Sequence, residues 1–536
     1  MLSQIALILL WYAPAVALML TTPITLMYFQ LSSYQFRGFL SAVKRQRRRV
    51  WLPGVALSLI SLVVCFLSDL LFRLGGAWKV LAPLIGALII VFSGKFIGKK
   101  TYLSREGKSS LNFTTRIKRF YAALFILLFV VFYIVRKNAP MLGINALMVL
   151  PLPIWVFLAA ILVWPVERLV YELYFQDAKR ILKERDDVLV IGVTGSYGKT
   201  SVKFFIKTLL DQKYNVLCSR GSQNTPMGIA TCIRNDLMPS HNVFVAELGA
   251  RHRGDIKELC RLLNPKIGVL TSVGPQHLET FGSLEAVKQT KYDLIRALPK
   301  DGFAVFGEDH ALVHTLYEQT RINKAIAGDN GEDIWAEDLQ ETGRDTQFTL
   351  CTKQGKRIPV RMHLRGAHFS GNALIAAAVA LHLNLSDRQI MHGMELLYPI
   401  RHRFKVETGA DGVHRINNGY NANPVSSEQT LAELKKPQYN GRRIVVTPGF
   451  VELGFEEERY NRELGANIAA TADIVLLVGK KRTLPIAEGL INAGFNAEAI
   501  HSFDSLKEAN AYYETIKAAG DYVLYENDLP DHYSEV

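Results

Sequence analysis

The chain has 536 residues, of which 49% are hydrophobic, so wholesale disorder is excluded and two or three folded units are expected. The net charge of +13 is uneven: residues 1–165 hold 18 of the 62 Lys and Arg residues but only two acids. The rest of the chain is close to neutral, so we expect no nucleic-acid partner. The five cysteines form no close pair, which excludes a disulfide framework and favours a reducing compartment.

The first 165 residues are predicted to form a transmembrane region of about five helices. Most of their apolar runs reach the ~20 residues that a membrane-spanning helix needs. The runs lie near 3–30, 51–72, 77–98, 120–135 and 141–165. The loops 31–50 and 95–119 are rich in Lys and Arg, and by the positive-inside rule they face the cytoplasm. We therefore predict a multi-pass protein of the cytoplasmic membrane, with everything after residue 165 in the cytoplasm.

After a predicted amphipathic linker helix at 166–185, strands alternate with helices, which predicts an α/β fold. One alternating series begins near Asp187 and a second begins after residue 399. We expect a parallel-sheet, ATPase-like central domain at 186–398 with a phosphate loop. A smaller, Rossmann-like α/β domain is expected at 399–536. In such sheets ligands collect beyond the carboxyl ends of the strands.

A phosphate-binding loop is predicted where the first of these strands meets a helix. Its residues are Gly195, Ser196, Tyr197, Gly198, Lys199, Thr200 and Ser201. Backbone N–H groups at a helix N-terminus attract phosphate, Lys199 adds positive charge, and the Thr200 hydroxyl is suited to Mg²⁺. Val193 stands where the strict pattern has glycine, so the loop is a variant.

Six separated motifs in order give the chain its resemblance to a known family. They are TGSYGKTS (194–201), VAELGARHRGDI (245–256), HLETFGS with VKQTK (277–291), RGAHFSGNALIAAA (365–378), GYNANPVSS (419–427) and VELG (451–454). Over about 186–536 they resemble the Mur ligase family, most closely its D-alanyl-D-alanine-adding members. The resemblance implies an ATP-dependent, ADP-forming ligase that joins an amino acid or peptide to a carboxylate through an acyl phosphate.

The resemblance also implies roles for particular residues. Lys199 would stabilise the transferring phosphoryl group, Thr200 and Glu247 would hold one Mg²⁺, and His277 would hold a second. Lys291 matches the lysine that the family carbamylates, which would make it a further oxygen ligand. The remaining matches are His368 and Asn372 on the adenine side, Arg403 on the nucleotide phosphates, and Asn224, Thr225, Asn421 and Asn423 on the substrates.

Three departures from the family pattern bear on the substrate. Membrane helices replace the domain that holds the uridine nucleotide of the soluble substrate, which makes a lipid-linked acceptor plausible. Asn417 and Asn418 stand where an acidic pair is expected before Tyr420. The chain closes with YENDLPDHY (525–533) where the relative has a Lys-Gly-Ser ending, so selection of the amine is expected to differ.

The sequence thus predicts a membrane-anchored ligase of peptidoglycan or cell-envelope precursor synthesis. Its partners would be a UDP-linked or lipid-linked precursor, an amino acid or dipeptide such as D-Ala-D-Ala, and membrane lipid. A ligase acting on a lipid-linked, non-muramyl acceptor is one alternative. An ATP-driven transporter or a degenerate scaffold is another. Against a transporter, the clear ionisable residue within the predicted spans is Asp69, and transport pathways usually need more ionisable residues within the membrane.

Overall fold

The computed structural model describes most of the chain, which divides into two compact units: residues 1–170 together with Leu529, and residues 171–527. The described residues are 1–32, 34–103, 111–138, 142–221, 223–307, 311–328, 332–342, 345–364, 368–398, 405–419, 423–436, 441–527 and 529. The domain boundary predicted at residue 399 lies outside them.

The first unit is helical. Its helices are α1 Leu2–Thr21, α2 Pro23–Leu31, α3 Phe36–Arg45, α4 Arg47–Arg73, α5 Trp78–Leu103, α6 Thr115–Asn138, α7 Leu142–Met148 and the first part of α8 Leu152–Glu184, which continues into the second unit. Within the described residues, five of these helices are long and apolar enough to cross a membrane, namely α1, α4, α5, α6 and α8. They correspond to the five apolar runs of the sequence.

Three boundaries in this unit differ from the predicted runs. The first run is broken after Thr21, where Pro23 starts a new helix because its ring lacks the N–H that would continue α1. The fourth run gains flanking residues and becomes the 24-residue helix α6. The fifth run is divided between α7 and α8, and α8 continues through Pro165 and the predicted linker to Glu184.

The central domain is built on a sheet with the strand order β2-β3-β1-β4-β5-β6-β7-β8-β9. Its strands are β1 Leu189–Thr194, β2 Val216–Cys218, β3 Val243–Glu247, β4 Ile267–Leu270, β5 Phe303–Gly307, β6 Asn323–Ala327, β7 Ile334–Thr342, β8 Asp345–Thr352 and β9 Arg357–Met362. The strands from β2 to β7 pair in parallel, as predicted, whereas β7, β8 and β9 form an antiparallel extension.

Helices cover both faces of this sheet. They are α9 Lys199–Leu210, α10 Pro226–Asp236, α11 Asp255–Leu263, α12 Leu278–Phe281, α13 Leu284–Arg296, α14 Ala311–Gln319, α15 His368–His382 and α16 Asp387–Glu395. One apolar cluster packs α9 and α15 on one face, and another packs α11 and α13 on the other. Because β1 and β3 are buried on both faces of the sheet, their sequences are almost continuously apolar.

The C-terminal domain has a smaller sheet with the order β10-β11-β15-β12-β13-β14. Its strands are β10 Lys405–Thr408, β11 His414–Asn418, β12 Arg443–Thr447, β13 Ile474–Val478, β14 Ile500–Phe503 and β15 Tyr522–Glu526. Its helices are α17 Pro424–Leu434, α18 Glu457–Ala469, α19 Leu484–Asn492 and α20 Leu506–Ile516. Among these strands β10 pairs antiparallel with β11, and the others pair in parallel.

The central and C-terminal domains share an apolar cluster beside the carboxyl ends of their strands. Leu278 and Phe281 of α12 pack in the same cluster as Phe450 and Leu453, which follow β12. This packing brings the loops after β1, β3 and β4 of one sheet close to the loop after β12 of the other.

Candidate active site

The predicted phosphate loop connects β1 to α9, and its backbone is shaped by two glycines. A Cβ atom on Gly195 would lie 2.0 Å from Thr271 Oγ1, so only glycine fits this close approach. Gly198 has a φ of +78°, the left-handed region that favours glycine. The backbone N–H of Tyr197 donates to Ser272 Oγ at 2.8 Å, which fixes the loop to the end of β4. The loop is therefore a preformed turn that leads into a helix N-terminus.

Two lysines converge on one carbonyl of this loop. Lys199 Nζ donates to Gly195 O at 2.7 Å and to Ser196 O at 3.0 Å. Lys291 Nζ, from α13, donates to the same Gly195 O at 2.8 Å. Burial, aided by the charge of Lys199, holds the pKa of Lys291 well below its usual range. The lowered pKa favours the neutral amine, which is the form that reacts with carbon dioxide to give a carbamate.

Glu247, the last residue of β3, contacts polar side chains from α9 and from the loop before α10. Its carboxylate accepts hydrogen bonds from Thr200 Oγ1 and from Asn224 Nδ2, each at 3.0 Å, and lies 3.3 Å from Lys203 Nζ. Burial alone would raise the pKa of Glu247, but the charges of Lys203 and then Lys199 outweigh it and lower the pKa. The structure thus brings Thr200, Asn224 and Glu247 together around an ionised carboxylate.

His277 is held by a residue of the other domain. Its Nδ1 contacts the carboxylate of Glu452, and the Glu279 N–H donates to Glu452 O at 3.0 Å. Both His277, with φ +52°, and Glu452, with φ +64°, have left-handed backbone conformations. Such conformations are costly for residues with a Cβ and concentrate at functional sites. Burial lowers the pKa of His277, and the Glu452 carboxylate opposes that shift.

The other predicted residues are placed less directly. Ser201 is buried in the first turn of α9, and the Asn372 amide oxygen lies beside Gly198, 2.8 Å from where a Cβ would stand. Thr225 caps α10 by accepting from Gly228 N–H, and Asn423 caps α17 in the same way through Ser426. The side chain of His368, at the start of α15, lies outside the described residues, as do Arg403 and Asn421.

Sequence reasoning missed three residues that the structure places in the site. Lys203 is fully buried and donates to Ser219 O at 2.8 Å as well as facing Glu247. The sequence does carry a signal for Lys203, because it lies one helical turn after Lys199 on the same face of α9. Glu452 lies in the VELG motif, but the motif alone does not indicate its contact with His277. Ser272 follows β4 and belongs to no distinguishing motif.

The residues present suit ATP and Mg²⁺. The glycine-shaped loop and Lys199 form a cradle for phosphate at a helix N-terminus. Among the described residues, no three His, Cys, Asp or Glu side chains cluster as a ready metal cage. Mg²⁺ usually binds through one or two carboxylates together with substrate phosphates, which is the set that Thr200 and Glu247 would complete.

A cavity of about 420 Å³ adjoins this region between the central and C-terminal domains. Gly274 forms part of one wall. Its backbone N–H donates a hydrogen bond to Ser196 Oγ of the phosphate loop at 2.9 Å. The opposite wall comes from α17 and α18 and carries the carboxylates of Glu428 and Glu463. The cavity is large enough for a small amine substrate beside the nucleotide loop.

Replacing Glu452 by alanine should lower kcat by roughly 10–100-fold, because His277 would lose the carboxylate that orients it. The full-length protein should fold normally, since the Glu452 side chain is partly exposed. Steady-state turnover of Glu452→Ala and of the control Glu456→Ala, four residues away on the surface, checks this expectation. Equal turnover in the two variants would contradict it.

Two family models match the second unit. The Mur ligase middle domain matches residues 193–380, and the Mur ligase glutamate ligase domain matches residues 402–525. The solved MurF ligase of Thermotoga maritima in complex with ADP superposes with a TM-score of 0.60 at 24% identity. That alignment covers 68% of this chain and 82% of the other.

Curated relatives are similar over the same part of the chain. The UDP-N-acetylmuramoyl-tripeptide–D-alanyl-D-alanine ligase of Mycobacterium tuberculosis (strain CDC 1551 / Oshkosh) is 33% identical over 60% of this chain and 61% of its own length. The enzyme of the same name from Escherichia coli (strain K12) is 30% identical over 58% of this chain and 68% of its own length. The chain therefore spans about three fifths of the mycobacterial relative.

Proposed function

The chain belongs to the Mur ligase family, and on that premise we propose that it is an ATP-dependent, ADP-forming ligase that joins an amine to a carboxylate. The observation that carries the proposal is the arrangement around the phosphate loop. Lys199 and Lys291 meet at Gly195 O, while Thr200 and the ionised Glu247 face each other at the mouth of the same loop. This is a phosphoryl-transfer site, built for positioning and charge neutralisation.

The proposed reaction has two steps. An oxygen of the acceptor carboxylate attacks the terminal phosphorus of ATP, so that ADP leaves and an acyl phosphate forms. The amine then attacks the activated carbonyl carbon, phosphate leaves, and the nitrogen loses a proton as the amide forms. Because a free carboxylate is a poor electrophile, phosphorylation is what makes the second step feasible.

We assign the side chains as follows. Lys199 would neutralise charge on the transferring phosphoryl group, and Thr200, Glu247 and His277 would hold Mg²⁺, which would supply further positive charge to the phosphate oxygens. Lys291, once carbamylated, adds an oxygen ligand to that set. By the family resemblance, Asn372 and His368 would contact the adenine and Arg403 would contact the phosphates. Asn224, Thr225, Asn421 and Asn423 contact the substrates.

The substrates are proposed from the relatives. Those proteins are named for adding D-alanyl-D-alanine to a UDP-N-acetylmuramoyl tripeptide. We propose that this chain adds D-Ala-D-Ala or a similar amino acid to a peptidoglycan precursor. The cavity beside the phosphate loop is lined in part by Glu428, whose charge is suited to an incoming ammonium group.

We also propose that the first unit anchors the enzyme in the cytoplasmic membrane, with the ligase domains in the cytoplasm. Support comes from the five long apolar helices and from the Lys- and Arg-rich connections 31–50 and 95–119. The unit carries its own buried polar contacts, such as the Asn145 amide that donates to Trp11 O at 2.8 Å. A packed helical bundle of this kind is more than a single anchoring helix.

The first unit, if it lies in the membrane as proposed, favours one alternative acceptor: a precursor already linked to a lipid. Its basic connections suit a pyrophosphate or an anionic headgroup at the membrane surface. A transporter is disfavoured, because Asp69 is half-exposed and paired with Arg73 near a helix end. A scaffold without activity is disfavoured by the retained Lys199, Thr200, Glu247, His277 and Lys291.

Cells that lack the protein should accumulate a cell-envelope precursor short of one amino acid or one dipeptide. Mass spectrometry of both soluble and lipid-linked precursors identifies which pool is affected, and complementation with the Lys199→Ala variant is the matched control. Accumulation in the soluble pool supports a UDP-linked acceptor, and accumulation in the lipid pool supports the alternative. Unchanged precursors in both pools would contradict the proposed pathway role.

A further inference from the structure

Two departures from the family pattern meet at a single buried carboxylate. Glu526 is the last residue of β15 and is fully buried. The amide of Asn418, the last residue of β11, donates to both oxygens of Glu526, at 3.1 and 3.0 Å. The hydroxyl of Ser427, on α17, donates to the same carboxylate. Asn418 stands where an acid is expected, and Glu526 lies in the segment that replaces the Lys-Gly-Ser ending.

These contacts tie together separate elements of the C-terminal domain. Asn418 belongs to a strand, Ser427 belongs to the helix that follows it, and Glu526 bridges the two. Asn418 also lies 2.9 Å from Thr430 Oγ1 on the same helix, so the helix is held at two successive turns. The Glu526 carboxylate thereby fixes the N-terminal part of α17 against the end of β11.

The next residue extends this connection towards His277. Asn527 has a φ of +69°, and its amide donates to Gly449 O at 2.7 Å. Gly449 begins the short loop that carries Glu452, the partner of His277. The end of β15 therefore holds both α17, which lines the cavity, and the loop that reaches the central domain.

Stability alone does not explain a carboxylate in this position. A buried carboxylate with neutral hydrogen-bond partners costs more than an amide of the same shape. Burial raises the pKa of Glu526 to about 7, in spite of the hydrogen bonds from Ser427 and Asn418. The carboxylate is, however, the group that accepts from both donors at once, which an amide oxygen and an NH₂ group do less well.

We propose that Glu526 is a positioning residue for ligation, which sets α17 and the Glu452 loop in register with the phosphate loop through Asn418, Ser427 and Asn527. This inference rests on the proposed function. It assigns Glu526 no contact with substrate, and its effect is expected on kcat and on the KM of the amine.

The test uses the full-length protein and an exchange of the two interacting groups. Asn418→Asp alone would place two carboxylates together, and Glu526→Gln alone would leave two amides. Each should lower kcat/KM for the amine by roughly 10–100-fold, with ADP affinity within about twofold of wild type. The double variant Asn418→Asp/Glu526→Gln restores one carboxylate and one amide, and it should recover at least tenfold over Asn418→Asp. The control is Glu514→Gln, at an exposed carboxylate on α20.

Hydrogen exchange gives a second readout that does not depend on activity. In Glu526→Gln, peptides covering 411–419, 424–436 and 443–453 should exchange faster, while those covering 189–307 stay unchanged. The inference would be overturned if Glu526→Gln showed wild-type exchange and wild-type kinetics, or if its exchange were faster throughout the chain. It would also be overturned if the double variant had a lower kcat/KM than either single variant. A wild-type protein that forms no amide overturns the proposed function. The exchange pattern then tests separately whether Glu526 holds α17 and the Glu452 loop in place.

Discussion

Lys199→Ala should lower ligation by about 1000-fold or more while the protein still inserts in the membrane and folds. The ammonium group donates to Gly195 O and Ser196 O, at the place where the phosphates of ATP would lie. A positive charge that stabilises the transferring phosphoryl group is worth about 10³–10⁵-fold in kcat. The measurement is ADP release with saturating acceptor and amine, together with detergent extraction to follow membrane insertion.

The matched control is Lys207→Ala, which removes a partly exposed lysine from the same helix. Lys207 pairs with Asp211 at the surface, and such pairs contribute little. Its turnover should stay within about twofold of wild type. Full turnover in Lys199→Ala would show that the phosphate loop does not carry the reaction.

Glu247→Gln should damage both magnesium dependence and stability. The amide keeps the shape of the side chain but loses the charge that would hold Mg²⁺, so the apparent Mg²⁺ affinity should fall by about 100-fold. It would also leave the fully buried Lys203 without its counter-ion, at a cost of about 3 kcal/mol in unfolding free energy. Magnesium titrations of turnover and chemical unfolding of the full-length protein measure the two effects.

Glu285→Gln provides the control for this change. Glu285 is exposed on α13 and pairs with Lys288, so neither magnesium dependence nor stability should move measurably. If Glu247→Gln required no more Mg²⁺ than Glu285→Gln, the assignment of Glu247 as a metal ligand would be wrong. A loss of stability with unchanged magnesium dependence would leave Glu247 only its structural role beside Lys203.

Several parallel strands were predictable because they are short apolar runs, whereas β2, β5 and β6 had no predicted counterpart. The runs DVLVIGV and NVFVAEL correspond to β1 and β3, and DYVLYEN corresponds to β15. The antiparallel strands β7 to β9 were not predicted, since β7 has neither a continuous apolar run nor regular alternation and β9 contains a proline, which argues against a strand. Periodicity also could not reveal that the fifth apolar run is divided between two helices, the second of which continues through the linker.

The site was predictable where one motif brings residues close along the chain. Lys199 and Thr200 follow from the loop, and Glu247 follows from the end of a strand. The pairing of His277 with Glu452 joins residues 175 positions apart in two domains, and only the fold brings them together. The same holds for Asn418 and Glu526, which the sequence presented as two unrelated departures.

Amide formation coupled to nucleotide consumption tests the central proposal most directly. Full-length protein in lipid nanodiscs would be given ATP, Mg²⁺, UDP-linked and lipid-linked muramyl peptides, and D-Ala-D-Ala or single amino acids. Our account predicts one ADP released for each new amide bond with at least one acceptor, and neither product from Lys199→Ala. ATP hydrolysis without any amide across the whole panel, or amide formation without ADP, would contradict it.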